Sequence, residues 1–182
     1  MASSSSDCYR PVFPTNIPVS DRVKDFIASF YAASDDPSRN EEWVEYFAAD
    51  AVLVMGDKTA KGTEQIRRLR EGMWEKVKSR RHRLEKVFPA SFGPGRKGEE
   101  HEYMICGSAD FVMKSGEDDV ASATWAGRAV LTDVDGGRLK YAFYQVYIHS
   151  VPTEQAALSS RPRAEVLGRP HRPLFDTPLN AI

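Results

Sequence analysis

One histidine and two polar residues stand where a folded chain could use them for acid–base chemistry. His82 opens one strand-like segment, and Ser108 and Asp110 alternate along the next. Folding these segments about the glycine-rich loop near residues 93–95 places His82 roughly opposite Ser108, with Asp110 on the diagonal. Cross-strand neighbours have Cβ atoms about 5 Å apart, and diagonal neighbours about 7–8 Å. A carboxylate at that distance can orient an imidazole and raise its basicity, so this set predicts a general base near neutral pH.

A competing interpretation gives His82 no chemical role. It lies among three arginines at the start of its strand, Arg80, Arg81 and Arg83. In that interpretation the strand end frays and the imidazole is exposed to solvent.

Composition and charge exclude several classes of function. The chain has 182 residues, 41% of them hydrophobic, which is enough for one domain with a sizeable core. Its 25 basic and 26 acidic residues leave a net charge of −1, which argues against a nucleic-acid partner. No apolar run reaches the ~20 residues of a membrane span or the pattern of a signal peptide. We therefore expect a cytoplasmic protein without a membrane partner.

Sequence motifs for metals, cofactors and covalent catalysis are missing. Cys8 lies in a Ser/Pro-rich arm and Cys106 in a strand-like run, so no structural disulfide is expected. There is no phosphate-binding glycine loop and no recognisable Ser or Cys nucleophile motif. We expect no cofactor. No metal site is expected either, because the four histidines lack ligand spacing: His82, His101, His149 and His171.

The hydrophobic period predicts helices first and strands afterwards. We expect a flexible arm over residues 1–19, a domain over 20–150 and a Pro/Arg-rich extended tail over 151–182. Ser20 caps the first of three helices, and the third helix should turn its arginines to water. A short buried strand over residues 51–55 lies between the second and third helices. Four later strands joined by short turns predict an antiparallel meander: 81–89, 100–114, 120–134 and 138–149.

This order of elements resembles the nuclear-transport-factor-2-like superfamily. Within it, the sequence resembles the SnoaL-like relatives of polyketide cyclases, scytalone dehydratase and ketosteroid isomerase, and a fungal member is expected. The resemblance implies a cone-shaped α+β barrel with three N-terminal helices in the concave face of a curved, mostly antiparallel sheet. It also implies a homodimer formed through that sheet. Three segments carry it: Phe47–Met55, Lys61–Ile66, and the final hairpin from Asp135 to Tyr147.

The ketosteroid-isomerase relatives supply a template that this chain does not fill. In the alignment Met55 takes the place of their general-base aspartate, and Ala129 takes the place of their oxyanion-hole acid. Their tyrosine falls near Phe30 or Tyr31. That mechanism needs a carboxylate base and proton donors to an enolate. The base and the acid are both missing here.

Scytalone dehydratase, a fungal relative, supplies a second template with two histidines and a pair of tyrosines. His82 stands in the place of the first histidine, and Ser108 stands in the place of the second. The tyrosine pair has no match in the sequence.

Alternation along the strands predicts which side chains enter the cone, because only every second residue can point inward. Trp125 lies among small residues on its strand, which indicates open space in front of the indole. An apolar wall suited to a ring-bearing molecule would follow, although core packing alone explains most of these residues. The residues aligned inward are Met104, Cys106, Ser108, Asp110, Val112, Ala123, Trp125, Gly127, Ala129, Ala142, Tyr144 and Val146.

We therefore predict a small cofactor-independent SnoaL-like enzyme that uses acid–base chemistry on an apolar oxygenated metabolite. It would be an isomerase, a cyclase or a dehydratase. His82 would be the base, Asp110 its orienting carboxylate, and Tyr144 or Tyr31 the hydrogen-bond donor. The alternative is a non-catalytic small-molecule-binding or dimerisation module of the same fold. Predicted substrate contacts are Tyr31, Met55, Trp74, Ser108 and Trp125.

Overall fold

The computed structural model describes residues 7–90, 101–114, 120–134 and 136–150. The predicted glycine-rich loop, the turn near residue 116 and the tail over residues 151–182 lie outside the described residues. The helices are α1 (Asp21–Ser34), α2 (Asn40–Glu45) and α3 (Gly62–Met73). The strands are β1 (Phe47–Met55), β2 (Lys58–Lys61), β3 (Val77–Ala90), β4 (His101–Met113), β5 (Val120–Val134) and β6 (Arg138–Ser150).

One curved sheet contains the six strands of the described residues, in the order β2-β1-β6-β5-β4-β3. Neighbouring strands are antiparallel except β1 and β6, which are parallel. The register shifts within β3 and between β5 and β6, and such bulges bend strands and increase their twist. With the three helices on its concave face, the unclosed sheet confirms the predicted α+β cone.

Helix α1 supplies much of the core under the sheet. The side chain of Ser20 accepts a hydrogen bond from the backbone N–H of Val23, which satisfies one free donor of the first turn. The Phe30 ring contacts rings from α2, β1 and β6 at centroid distances of 4.7–5.9 Å. Aromatic contacts therefore fix the C-terminal half of α1 against the sheet.

The predicted side-chain directions hold on β5 but fail on β4. On β5 Trp125 and Ala129 are buried, as predicted. On β4 the buried residues are Tyr103, Ile105, Gly107 and Ala109, one position away from the predicted set. Both faces of β4 carry apolar residues, so the hydrophobic pattern could not fix its register. The predicted inward residues that this shift turns to the outer face are Met104, Cys106, Ser108, Asp110 and Val112.

A second difference lies in β6, where an extra residue is inserted opposite β5. Val130 pairs with Phe143 and Leu131 pairs with Tyr141, so Ala142 has no partner in the register. Tyr141 is consequently fully buried, and Ala142 does not take the inward position predicted for it.

The N-terminal segment packs on the edge of the sheet. Asp7–Tyr9 form a short 3-10 turn. Val12 then pairs with β3: its N–H donates to the Glu85 carbonyl at 2.8 Å, and its own carbonyl accepts from Val87 N–H at 3.0 Å. From Asp7 onward, the segment predicted as a flexible arm therefore has defined contacts with the sheet. No helix in the described ranges is both long and apolar enough to cross a membrane.

Candidate functional site

A histidine–aspartate pair joins the end of α1 to strand β3. The Nδ1 atom of His82 lies 2.5 Å from Oδ1 of Asp35, and the His82 backbone N–H donates to Oδ2 at 2.7 Å. The side chains are only 14% and 8% exposed. With Nδ1–H donating to the carboxylate, Nε2 is the ring nitrogen left to accept a proton.

Burial and hydrogen bonding set the protonation states of this pair. Burial lowers the pKa of His82 below its ordinary value, although the Asp35 carboxylate opposes that shift. Burial by itself would raise the pKa of Asp35, but hydrogen bonds from His82 and the charge of Arg80 outweigh it and lower that pKa. At neutral pH the pair is a neutral imidazole beside a carboxylate, which is the state of a general base.

The Asp35 carboxylate lies at an electrostatically unfavourable position, and two arginines compensate. Asp35 is the C-cap of α1, where the helix dipole disfavours negative charge. Arg80 Nε lies 3.4 Å from Asp35 Oδ1. Arg70 donates to the carbonyls of Ala33 and Ser34 at 3.1 and 2.9 Å. The end of the helix is thereby held in place by cationic side chains.

The two arginines alternate with two tryptophans in a stack. The Arg70 guanidinium lies 4.9 Å from the Trp43 ring centroid and 5.0 Å from that of Trp74, and Arg80 lies 4.8 Å from Trp74. Arg70 is fully buried, so the prediction that the arginines of α3 face water is wrong for this residue. Trp74 is not part of the cavity wall predicted for it, because its ring packs against the guanidinium groups of Arg70 and Arg80.

The imidazole opens onto an apolar cavity of about 210 Å³. Tyr31 and Trp125 stack at 5.2 Å, and the His82 ring meets them edge-on at 5.2 and 5.6 Å. Four of the six predicted substrate contacts and hydrogen-bond donors line the cavity: Tyr31, Met55, Trp125 and Tyr144. Trp74 and Ser108 do not line it. The base therefore works beside an aromatic wall.

Two tyrosine hydroxyls supply hydrogen bonding in the cavity. The hydroxyl oxygens of Tyr31 and Tyr144 lie 2.6 Å apart. Burial raises the pKa of both, so both stay protonated at neutral pH. Since one hydroxyl donates to the other, one proton of the pair is left for a ligand oxygen. Gly127 makes room for this arrangement, because a Cβ there would lie 2.9 Å from the Tyr144 hydroxyl.

Asp110 and Ser108 are corrections to the sequence prediction. His82 pairs with Ala109, so both residues lie on the opposite face of the sheet from the cavity. Asp110 binds Arg83 through two hydrogen bonds of 2.7 and 2.8 Å, and accepts a third from Ser122 at 2.7 Å. Asp110 therefore does not orient His82, and Ser108 does not contact a molecule in the cavity.

The sequence reasoning missed three residues of the site. The sequence patterns assign no role to Asp35, although a carboxylate at a helix C-terminus calls for an explanation. Arg80 appears in the sequence only as one of three arginines beside His82. Tyr9 was placed in the flexible arm, yet its hydroxyl donates to Asp35 Oδ2 at 2.9 Å. For Tyr9 no signal was present in the sequence.

Comparisons with known proteins give matches among solved structures. No family model matches this sequence, and no curated protein matches it. A candidate scytalone dehydratase from Novosphingobium aromaticivorans is 13% identical, with a TM-score of 0.60 over 83% of this chain and 94% of the other. The type-3 hexachlorocyclohexane dehydrochlorinase LinA from Novosphingobium barchaimii is 12% identical, with a TM-score of 0.59 over 72% and 89%.

Nuclear transport factor 2 from Cryptosporidium parvum is also similar, at 10% identity and a TM-score of 0.55 over 69% of this chain and 90% of the other. Identities this low establish a common fold and leave activity open. The chain has the nuclear-transport-factor-2-like α+β fold that the sequence resemblance implied.

Proposed function

We propose that this chain is a small enzyme that removes a proton from an apolar, oxygenated, ring-bearing metabolite, with His82 as the general base. The observation that carries the proposal is the hydrogen bond from His82 to Asp35 at the wall of an apolar cavity. The carboxylate holds the imidazole in one tautomer and stabilises the imidazolium that forms when Nε2 takes a proton.

The proposed chemistry starts at a carbon beside a carbonyl group. Nε2 of His82 takes the proton, and the electron pair of the broken C–H bond moves toward the carbonyl oxygen to give an enolate. The hydroxyl pair of Tyr31 and Tyr144 donates a hydrogen bond to that oxygen. The enolate then expels a hydroxyl group from the next carbon, which leaves as water with the proton from His82. Return of the proton to a different carbon would give isomerisation instead.

Elimination is the reaction we favour among isomerisation, cyclisation and dehydration. Two of the similar structures are, by name, a candidate scytalone dehydratase and a dehydrochlorinase. Loss of water and loss of hydrogen chloride both need a base that takes a proton from carbon, which is the role proposed for His82. The missing isomerase carboxylate, with Met55 in its place, is compatible with this choice.

The test is proton exchange from carbon, which reports the first step without requiring the natural substrate. A panel of one- and two-ring ketones bearing a hydroxyl group two carbons from the carbonyl carbon is incubated in D2O. Exchange at the α-carbon and loss of water are followed by NMR. We expect wild-type protein to catalyse exchange, and His82→Ala to lose at least about 100-fold, the usual contribution of a positioned base.

Two aspartate variants provide a matched comparison. Asp35→Asn should lose most of the exchange activity, since an amide N–H can donate to Nδ1 and move the ring proton to Nε2. Asp110→Asn, a carboxylate on the outer face, should retain it. Full exchange by His82→Ala would contradict the proposal. Tight binding of these ketones without exchange in wild-type protein would instead support the non-catalytic binding module.

A further inference from the structure

Arg80 is a buried arginine in the cavity wall, and some of its N–H groups lack a good hydrogen-bond acceptor among the neighbouring residues. The Arg80 side chain is 8% exposed and lines the cavity. Its Nη2 donates to the Ser34 carbonyl, but the acceptor of Nη1 is the thioether of Met73 at 3.9 Å. Its Nε has no hydrogen-bond partner among the described residues, because the Asp35 oxygen 3.4 Å away is out of line. A thioether is a weak acceptor, so the guanidinium keeps capacity for a better one.

Arg80 has little charge compensation among the described residues of the site. Arg70 and Arg80 are both buried cations, and Asp35 lies 3.4 Å from Arg80. The Asp35 carboxylate also binds Tyr9 and His82, while the charge of Asp36 acts on Arg70. Burying a charge that has no carboxylate of its own is costly, so an anion in the cavity would complete the site.

The guanidinium is also fixed before any ligand arrives. Its carbon lies 4.8 Å from the centroid of the Trp74 ring, and Nη2 is held by the end of α1. A second donor lies in the same wall, since Trp125 Nε1 is buried and has no hydrogen-bond partner in the part of the chain that the structure describes. A rigid guanidinium suits a carboxylate, which it can bind through two parallel hydrogen bonds.

We infer that the cavity binds a ring-bearing carboxylate, with Arg80 as the anchor of its carboxylate group. This inference rests on the proposed function in taking the same cavity as the substrate site, and it names the substrate class. The rest of the wall is apolar and aromatic, which fits the ring. A volume of about 210 Å³ admits one or two fused rings and is below the usual range for drug-sized ligands.

The test compares two probes of equal shape, 2-naphthoate and its neutral amide, 2-naphthamide, by isothermal titration on the full chain. We expect wild-type protein to bind the carboxylate at least about tenfold more tightly, the equivalent of one charge-assisted hydrogen bond. Arg80→Met should abolish that preference. Arg83→Met is the matched control, because Arg83 lies on the same strand and binds Asp110 on the outer face. It should keep the preference.

The wild-type comparison stands even if Arg80→Met fails to fold. Equal affinity for the two probes, or no measurable binding of naphthoate, would overturn the inference. Arg80→Lys keeps the charge without the planar fork, and we expect it to retain part of the preference. Binding does not need the base, so His82→Ala should still prefer the carboxylate. The inference and the proposed function can therefore fail separately.

Discussion

At the level of single residues, Asp35 controls the orientation and protonation of His82. Both carboxylate oxygens accept hydrogen bonds from the same residue, one from the ring and one from the backbone. Rotation of the imidazole ring would therefore break its hydrogen bond to Asp35. Because the carboxylate is buried, leaving it unsatisfied would be costly. Geometry and tautomer are set together by a residue that the sequence separates from His82 by 47 positions.

The lowered pKa of His82 predicts a specific loss of stability in mild acid. Because its folded-state pKa lies below the ordinary value near 6.5, the unfolded chain takes up the proton first as the pH falls. The stabilisation is complete above about pH 6.5 and is lost as the pH falls toward the folded-state pKa. Asp35 acts in the same direction at lower pH, since its pKa is also lowered.

Urea unfolding at about pH 7.5 and pH 5.5 measures this effect. Wild-type protein should lose more free energy of unfolding between the two conditions than His82→Gln does. The other three histidines are present in both proteins, so the difference isolates His82. An equal loss in the two proteins would show that His82 is not held neutral by the fold.

His82 could be predicted from the sequence, whereas its partner could not. An isolated histidine at the start of a strand was recognisable, and the fold resemblance placed it at the cavity. Asp110 was chosen as the partner because strand pairing makes local carboxylates easy to find. The true partner comes from the end of a helix, through tertiary packing that has no periodicity in the sequence.

At the scale of elements, the C-terminus of α1 is the part that positions the site. Arg70 donates to the Asn40 side chain at 2.8 Å and to the carbonyls of Ala33, Ser34 and Asp36. These contacts connect α3 to the end of α1. They therefore hold Asp35, the residue that follows α1, in position. Burial lowers the pKa of Arg70 to about 9, which leaves it charged at neutral pH.

We predict that Arg70→Met destabilises the fold by at least about 2 kcal/mol, since it leaves buried carbonyls without donors. Arg67→Met is the control on the same helix, because Arg67 forms exposed ion pairs with Glu41 and Glu64 and should matter by less than about 1 kcal/mol. Urea unfolding of both variants measures the difference. A similar loss of unfolding free energy in both variants would show that Arg70 does not hold the end of α1 in place.

Arg70 could have been found in the sequence. It lies four residues after Ile66 and three before Met73, inside the apolar stripe of α3. Its charge alone led to the expectation that it faces water. A charged residue within an apolar stripe is better taken as a buried residue that needs partners.

The N-terminal segment predicts a further effect on the base. Tyr9 donates to Asp35 Oδ2, and this hydrogen bond reduces the ability of the carboxylate to stabilise a protonated His82. Tyr9→Phe should therefore raise the pKa of His82 and move the acid limb of the exchange reaction to higher pH. Tyr147→Phe, an exposed tyrosine on β6, is the control. An unchanged pH profile in Tyr9→Phe would assign the segment a packing role only.

At the scale of the whole molecule, the fold followed from the sequence and the contents of the cavity followed only in part. Short turns, a change of period and the final hairpin were enough to predict the meander of β3, β4, β5 and β6, since antiparallel neighbours in a meander pair in sequence. The turns did not predict the parallel pairing of β1 with β6. The register of β4 was not determined, because Tyr103 and Ile105 on one face are matched by Met104 and Cys106 on the other. A shift of one residue along β4, relative to the predicted register, places Ala109 at the cavity in place of Asp110.

A homodimer through the outer face of the sheet stays a prediction. That face carries the Arg83–Asp110 and Arg128–Glu102 ion pairs, and the half-exposed Tyr147 beside them. Sedimentation of Tyr147→Asp against wild-type protein would test it without touching the cavity residues.

Asp35 should hold His82 as a neutral base with Nε2 free, and NMR of the labelled imidazole measures both properties. Long-range 15N–1H correlations of wild-type protein at about pH 7 report the tautomer, and a titration reports the pKa, with His82→Gln used for assignment. We expect a proton on Nδ1, none on Nε2, and a pKa of His82 below the ordinary value near 6.5. A doubly protonated ring at that pH, or a proton on Nε2, would contradict it.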